Sequence, residues 1–229
     1  MFNPETPPEL SVTRWVNTRA ALSLKALKGK VVMVMAFQML CPGCVQHGLP
    51  QAKKIAEQFN DDEVVVVGLH SVFEHHEVMT PAALEVFMQE YSWPFPVAVD
   101  APGEDAKGLP KTMAAYEMRG TPTVLLFDRA GRLRRHYFGH VEDIRLAAEL
   151  MALSIEDAGA PREASVAIEK RLHATLLDPN AQHAGHEHEH EHGHGHGDAC
   201  GCGHEHGDAD GDAHGHDHGH AHAHGHKHT

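Results

Sequence analysis

Two cysteines separated by two residues, Cys41 and Cys44, are the strongest candidates for chemistry in this sequence. They follow the apolar run VVMVMAF at 31–37 and precede a segment with helical spacing, so they fall where a strand meets the N-terminus of a helix. The free N–H groups and the dipole at that end of a helix favour a thiolate over a thiol. The pair therefore predicts reversible disulfide chemistry, with Cys41 as the nucleophile and Cys44 as the resolving thiol.

A zinc half-site is the alternative interpretation of the same pair. Structural zinc is usually held by four Cys or His ligands, so a second ligand pair is needed within the fold. No other cysteine occurs before residue 200. The context of the motif therefore favours redox chemistry over zinc binding.

The C-terminal segment 180–229 has a composition typical of metal binding. Of the 24 histidines, 17 lie between residues 181 and 229, a stretch without Val, Ile, Leu, Met or aromatic residues. Imidazole and thiolate ligands suit zinc, nickel, copper or cobalt, and proton competition should lower metal uptake below about pH 6. A purification tag or a solubilising tail is the alternative, and we expect the segment to be disordered. The expected ligands are Cys200, Cys202, His186, His188, His190, His192, His194, His196, His204, His206, His214, His216, His218, His220, His222, His224, His226 and His228.

Charge and hydropathy exclude several classes of partner. The formal net charge is −13, of which the tail from residue 181 onward carries −8, which leaves residues 1–180 only mildly acidic. A basic nucleic-acid surface is not expected on these numbers. No run approaches the roughly 18–20 apolar residues of a membrane helix, and the N-terminus MFNPETPPELSVTRW lacks the basic start and apolar core of a secretory signal. We therefore expect a soluble, cytoplasmic protein with neither nucleic-acid nor membrane partners.

The remaining elements alternate between strand and helix. Apolar runs predict strands at 31–37, 64–69, 96–99, 124–127 and 133–138, and helical spacing predicts helices at 45–59, from Pro81, at 110–117 and at 144–153. This order predicts an α/β sandwich in which helices flank a mixed central β-sheet, with the strand at 31–37 in the centre. Residues 1–153 form the expected domain, 154–179 a helical extension and 180–229 the tail. Whether the extension packs on the domain or on a second copy is left open.

The sequence resembles TlpA-type and redoxin-type thioredoxin-fold proteins in two separate segments. GKVVMVMAFQMLCPGC is similar to their strand and active-site motif, and AAYEMRGTPTVLLFDRAG is similar to their segment with a cis-proline before a buried strand. The resemblance covers roughly residues 10–153 and implies a thioredoxin-like sandwich. It also implies a cis Pro122 against Cys41, and a substrate groove formed by Pro42, Gly43, Thr121 and Pro122.

Four departures from that pattern leave the direction and potential of the redox reaction open. Leu40 stands where thioredoxins carry Trp, and Met35 stands where they carry a buried Asp that assists proton transfer. The dipeptide between the cysteines is Pro-Gly rather than Gly-Pro, and Pro50 comes one residue later than usual.

Two related functions are alternatives within the fold. A thiol-dependent peroxidase would carry Thr three residues before the attacking cysteine, where this chain has Gln38. Copper delivery would need a His near Thr121, but His136 and His140 follow later.

The expected function is thus a thiol–disulfide oxidoreductase that contributes to cell redox homeostasis, without a cofactor at the redox site. Its substrate is expected to be a protein or small-molecule disulfide or thiol, with an unidentified electron donor. A metal-buffering or metal-delivery protein with a secondary Cys pair is the competing class. His70, His75 and His76 are expected to be surface histidines, and His47 a solvated His or a proton relay.

Overall fold

The computed structural model describes residues 2–104 and 108–176. Six strands and five α-helices are assigned there. The strands are β1 (Val12–Val16), β2 (Val31–Phe37), β3 (Val64–His70), β4 (Val97–Asp100), β5 (Thr123–Phe127) and β6 (Leu133–Phe138). The helices are α1 (Leu49–Gln58), α2 (Pro81–Glu90), α3 (Lys111–Ala115), α4 (Asp143–Ile155) and α5 (Arg162–Thr175), and a π-helical turn, Cys44–Gly48, leads directly into α1.

The strands form one mixed sheet in the order β1-β4-β3-β2-β5-β6. Strands β2, β3 and β4 pair in parallel, whereas β1, β5 and β6 join their neighbours in antiparallel fashion. All seven residues of β2 are buried, as expected for a strand covered on both faces. The predicted α/β sandwich with a mixed sheet and a central strand at 31–37 is therefore confirmed.

Alternate residues of β2 enter two separate cores. Val31, Met33, Met35 and Phe37 pack with residues of α1, α2 and α4, and the intervening residues Val32, Val34 and Ala36 pack with residues of the α3 region on the other face. This division follows from the two-residue period of a strand. The carboxyl end of β2 leads into the Cys41 loop.

Strand β1 was not expected from the sequence, in which no strand was predicted before residue 31. It is an edge strand with one buried residue, and its pairing with β4 is irregular between Val12 and Arg14. A partly exposed, irregular edge strand lacks the clean apolar alternation that identifies strands in a sequence.

Helix α5 lies within the expected extension but starts at Arg162, while residues 154 and 155 complete α4. The apolar residues of this segment have the spacing of an amphipathic helix: Ile155, Val166, Ile168, Leu172 and Leu176. Ile155 is 74% exposed, whereas Ile168 and Leu172 line a small cavity together with Leu153 of α4, and a buried ionic network also holds α5 to the sheet. The Arg134 side chain on β6 donates to Glu156 at 2.7 and 3.0 Å and to Glu169 of α5 at 2.6 Å. The extension thus packs on the domain through a buried cation, a contact that apolar periodicity does not indicate.

None of the helices in the described ranges is long and apolar enough to cross a bilayer.

Candidate active site

The two motif cysteines lie between the carboxyl end of β2 and the start of α1. The Cys41 N–H donates to the Gln38 carbonyl at 3.2 Å, and the Cys44 N–H donates to the Cys41 carbonyl at 3.0 Å. Cys41 is half-buried and Cys44 is fully buried, and neither is in a disulfide. Solvent and substrate therefore reach the Cys41 sulfur before that of Cys44.

Two short contacts surround the Cys41 sulfur. The backbone N–H of Cys44 donates to Cys41 Sγ at 3.3 Å, and the Cys41 thiol donates to the Thr121 carbonyl at 3.5 Å. A backbone N–H aimed at the sulfur stabilises the negative charge of a thiolate. The structure therefore brings together Cys41, Cys44 and Thr121, although the last is 80 residues away in sequence.

Burial raises the pKa of the Cys44 thiol to about 12, and a hydrogen bond with the Cys41 side chain acts in the same direction. Met35, which stands where thioredoxins carry an Asp, is fully buried in the same apolar cluster as Cys44. A thioether accepts no proton at ordinary pH, so it cannot replace the missing carboxylate. Cys44 is therefore a neutral thiol in the reduced protein.

The Thr121-Pro122 peptide bond is cis, which confirms the expectation from the resemblance. The Pro122 ring lies against the helix that carries the cysteines. A Cβ added at Gly43 would lie 3.4 Å from Pro122 Cδ, whereas one added at Gly48 would lie 3.1 Å from both Pro122 Cβ and Met35 Sδ. A methyl group at Gly48 would be closer to Pro122 and Met35 than ordinary packing allows unless they shift by a few tenths of an ångström, whereas the contact at Gly43 is an ordinary van der Waals distance.

We expect Gly48→Ala to destabilise the protein by about 1–2 kcal/mol, because overpacking against the rigid Pro122 ring outweighs the gain of up to about 1 kcal/mol in helix propensity. Gly43→Ala is the matched control and should be neutral or slightly stabilising. Chemical denaturation of both variants measures the difference. Equal stability of the two variants would show that the Gly48 contact is not restrictive.

The π-helical turn accounts for the late position of Pro50. The Leu49 N–H donates to the Cys44 carbonyl, a bond that spans one residue more than the α-helical bond. The additional residue of the Cys44–Gly48 turn delays α1 by one position. Pro50 then falls in the first turn of α1, the part of an α-helix in which proline is tolerated.

The other residues weighed from the sequence lie in separate environments. Gln38 is buried, where its side chain accepts from the Phe73 N–H at 3.2 Å and donates to Glu74 at 3.4 Å. His47 is exposed beside His140, with ring centroids 5.3 Å apart. In the described part of the chain, no group of three or more His, Cys, Asp or Glu side chains is placed to hold a metal ion. The expected tail ligands, from His186 to His228 with Cys200 and Cys202, lie outside the described residues.

His70 corrects an expectation, because it is only 1% exposed rather than a surface residue. It ends β3, its ring lies 5.3 Å from that of Phe37, and neither ring nitrogen has a hydrogen-bond partner among the described residues. Burial lowers the pKa of His70 to about 4. His75 and His76 are exposed, as expected.

The lowered pKa of His70 predicts an acid-sensitive stability. Between about pH 6.5 and pH 4 the unfolded chain binds a proton at this side chain and the folded chain does not, so stability falls as the pH falls. We expect His70→Phe to remove about 2 kcal/mol of the loss in unfolding free energy between pH 8 and pH 5. Urea titrations of both proteins at the two pH values measure this difference. Parallel pH profiles of the two proteins would contradict the assignment.

Several positions that shape the site could not be found from the sequence. Gly48 carries no local signal, because its importance depends on contacts with distant segments. His70 lies at the end of an apolar strand run, and that position was the available sign of its burial.

Comparisons with known proteins agree with this arrangement. A thioredoxin-like superfamily protein of known crystal structure is 54% identical over 67% of this chain and 97% of its own, with a TM-score of 0.64. A thiol-disulfide isomerase from Corynebacterium glutamicum is 52% identical over 67% of this chain and 98% of its own, with a TM-score of 0.64. These similarities confirm the thioredoxin-like fold.

More distant relatives are larger. NHL repeat-containing protein 2 of Gallus gallus is 29% identical over 76% of this chain but 23% of its own length, so this chain spans about a quarter of that relative. A sequence model of the Redoxin family matches residues 6–148, which include both cysteines, the π-helical turn and the cis-proline. The chain therefore belongs to the Redoxin family.

Proposed function

We propose that this protein is a thiol–disulfide oxidoreductase that reduces disulfide bonds through Cys41 and Cys44. One observation carries the proposal: the accessible Cys41 sulfur receives the backbone N–H of Cys44, while the Cys44 thiol is buried directly behind it. An accessible, stabilised sulfur is suited to attack, and a buried neighbour is suited to resolution. The 52% identity to a thiol-disulfide isomerase supports the same chemistry.

The reaction balances in two exchanges. The Cys41 thiolate attacks one sulfur of the substrate disulfide, forming a mixed disulfide and releasing the other sulfur as a thiolate that takes up a proton. Cys44 then loses its proton and attacks Cys41 Sγ, which releases the second substrate thiol and leaves a Cys41–Cys44 disulfide. An external dithiol must supply two electrons to restore the reduced pair. No cofactor is needed for either exchange.

Pro42, Gly43, Thr121 and Pro122 are the proposed walls of the substrate groove. Pro42 is exposed beside the nucleophile, and the Thr121 carbonyl lies 3.5 Å from Cys41 Sγ. A substrate chain that reaches the sulfur must therefore pass beside Thr121.

Peroxide reduction is the less favoured activity within this family. Gln38, at the position where a peroxidase would carry Thr, is engaged with the loop after β3 and lies away from solvent. Two assays on the full chain with Cys200→Ser and Cys202→Ser distinguish disulfide reduction from peroxide reduction. One measures insulin reduction driven by dithiothreitol, and the other measures peroxide consumption. The proposal predicts insulin reduction that is lost in Cys41→Ser. Peroxide turnover that requires Cys41, without insulin reduction, would overturn it.

For the tail, residues 180–229, we propose binding of zinc, nickel, copper or cobalt ions, supported by its 17 histidines and by the pair Cys200 and Cys202. Imidazole must be neutral to bind a metal. Equilibrium dialysis of the full chain against Zn²⁺ should therefore show much less bound metal at pH 5 than at pH 7.5. Equal binding at the two pH values would contradict the proposal.

A further inference from the structure

An exposed aromatic ring and an exposed cation lie together near the redox site. Phe138, the last residue of edge strand β6, is 49% exposed. The guanidinium carbon of Arg119 lies 5.3 Å from the centre of the Phe138 ring. We call these two side chains the Arg119–Phe138 surface.

The Arg119–Phe138 surface is continuous with the backbone beside Cys41. A Cβ added at Gly120 would lie 3.0 Å from Phe138 Cε2, so the ring rests directly on the backbone of Gly120. The next residue is Thr121, whose carbonyl faces Cys41 Sγ. On the other strand, the N–H of Gly139 donates to the Pro122 carbonyl at 2.8 Å, which fixes the end of β6 beside the proline.

Stacking on the Phe138 ring positions the Arg119 guanidinium without occupying its N–H groups. A guanidinium above an aromatic face is held by its charge, and its in-plane donors stay available for a carboxylate. Among the described residues Arg119 forms no ion pair, whereas other surface arginines do. Arg14 pairs with Glu85 and Arg129 with Glu63 at distant edges of the fold.

The position of Arg119 indicates what it would contact. It lies two residues before Thr121, beside which a substrate chain must pass to reach Cys41. Each residue of an extended chain advances about 3.3 Å, so a substrate side chain one or two residues from the attacked cysteine lies within reach of the guanidinium. A carboxylate there would find a preorganised cation that forms no ion pair with the described residues and offers two parallel donors.

We infer that the Arg119–Phe138 surface selects peptide disulfides that carry an Asp or Glu within two residues of the attacked cysteine. This inference rests on the proposed disulfide reductase function and names its preferred substrate class. The chemistry remains that of the two exchanges above, in which the substrate disulfide gains two electrons and the Cys41–Cys44 pair loses them.

The test compares two peptide disulfides that differ only by Asp or Asn next to the cysteine. The reduced full chain, with Cys200→Ser and Cys202→Ser, is mixed with each peptide in single-turnover experiments, so no external reductant is required. We expect the Asp peptide to react about three- to fivefold faster, as one exposed ion pair allows, and the ratio to approach one in 1 M salt.

Three variants test whether the faster reaction of the Asp peptide depends on Arg119 and Phe138. Arg119→Met should bring the ratio of the two rates close to one, and Phe138→Leu should lower it, because the guanidinium loses its platform. Arg14→Met removes an arginine at the far edge of the sheet and should keep the wild-type ratio. Equal rates for both peptides in the unsubstituted protein, or a ratio unchanged in Arg119→Met, would overturn the inference while leaving the reductase function intact. No reaction with either peptide would instead refute the reductase function itself.

Discussion

Cys44→Ser should convert the protein into a trap that accumulates a mixed disulfide on Cys41. The half-buried Cys41 sulfur still receives a backbone N–H from residue 44, since that donor does not depend on the side chain. The attack therefore proceeds, but the serine hydroxyl cannot displace the substrate from the sulfur. We expect nearly stoichiometric mixed disulfide with a peptide substrate and loss of turnover by at least about 100-fold, measured by intact mass and by insulin reduction.

Cys41→Ser is the matched control for the trap. Its remaining thiol, Cys44, is fully buried and has a pKa raised to about 12, so it is both inaccessible and protonated. We expect no mixed disulfide under the same conditions. Both variants are compared in the Cys200→Ser, Cys202→Ser background, so that the tail thiols cannot contribute. Efficient trapping by Cys41→Ser would reverse the assigned roles.

The resolution step should accelerate by about tenfold for each unit of pH between pH 6 and pH 9. Burial raises the pKa of Cys44 to about 12, above this whole range, so the small thiolate fraction rises tenfold per pH unit. The rate of resolution follows the thiolate fraction, since the thiolate is the attacking species. Stopped-flow reaction with one equivalent of an aromatic disulfide measures this step, because the second released chromophore reports resolution.

Cys44→Ser serves as the baseline for this measurement, since it should release only the first chromophore at every pH. A resolution rate that levels off below pH 8 would contradict the account. It would mean that a group near Cys44 accepts its proton at ordinary pH, as the Asp of thioredoxins does in the position held here by Met35.

The sequence predicted those parts of the fold whose signals are local. The unbroken apolar run of β2 identified a buried strand, and Pro81 identified the start of α2, where the Thr80 side chain accepts the Ala83 N–H. The cysteine pair was identified by its position between a predicted strand and a predicted helix. Pro122 was located through its resemblance to a known segment.

Features that depend on contacts between distant segments were not predictable in the same way. Salt bridges from the buried Arg134 hold α5 against the sheet. From the sequence alone, Arg134 would be assigned as a solvated charge on an edge strand. His70 is buried because it lies at the end of a strand that neighbouring segments cover. From the sequence, its polar side chain indicated an exposed residue instead. The restriction at Gly48 arises from Pro122, which is 74 residues away along the chain.

The most direct test of Cys41 and Cys44 as an exchange centre is a redox titration. The full chain, with Cys200→Ser and Cys202→Ser, is equilibrated in dithiothreitol buffers that span a range of redox potentials. Mass spectrometry of the alkylated peptide that contains Cys41 and Cys44 quantifies the dithiol and disulfide forms. We expect a reversible two-electron transition between these two forms, with the same midpoint whether the reduced or the oxidised protein is the starting material. A pair that stays reduced in every buffer, or that oxidises irreversibly at Cys41 alone, would contradict the assignment of this site as a thiol–disulfide exchange centre.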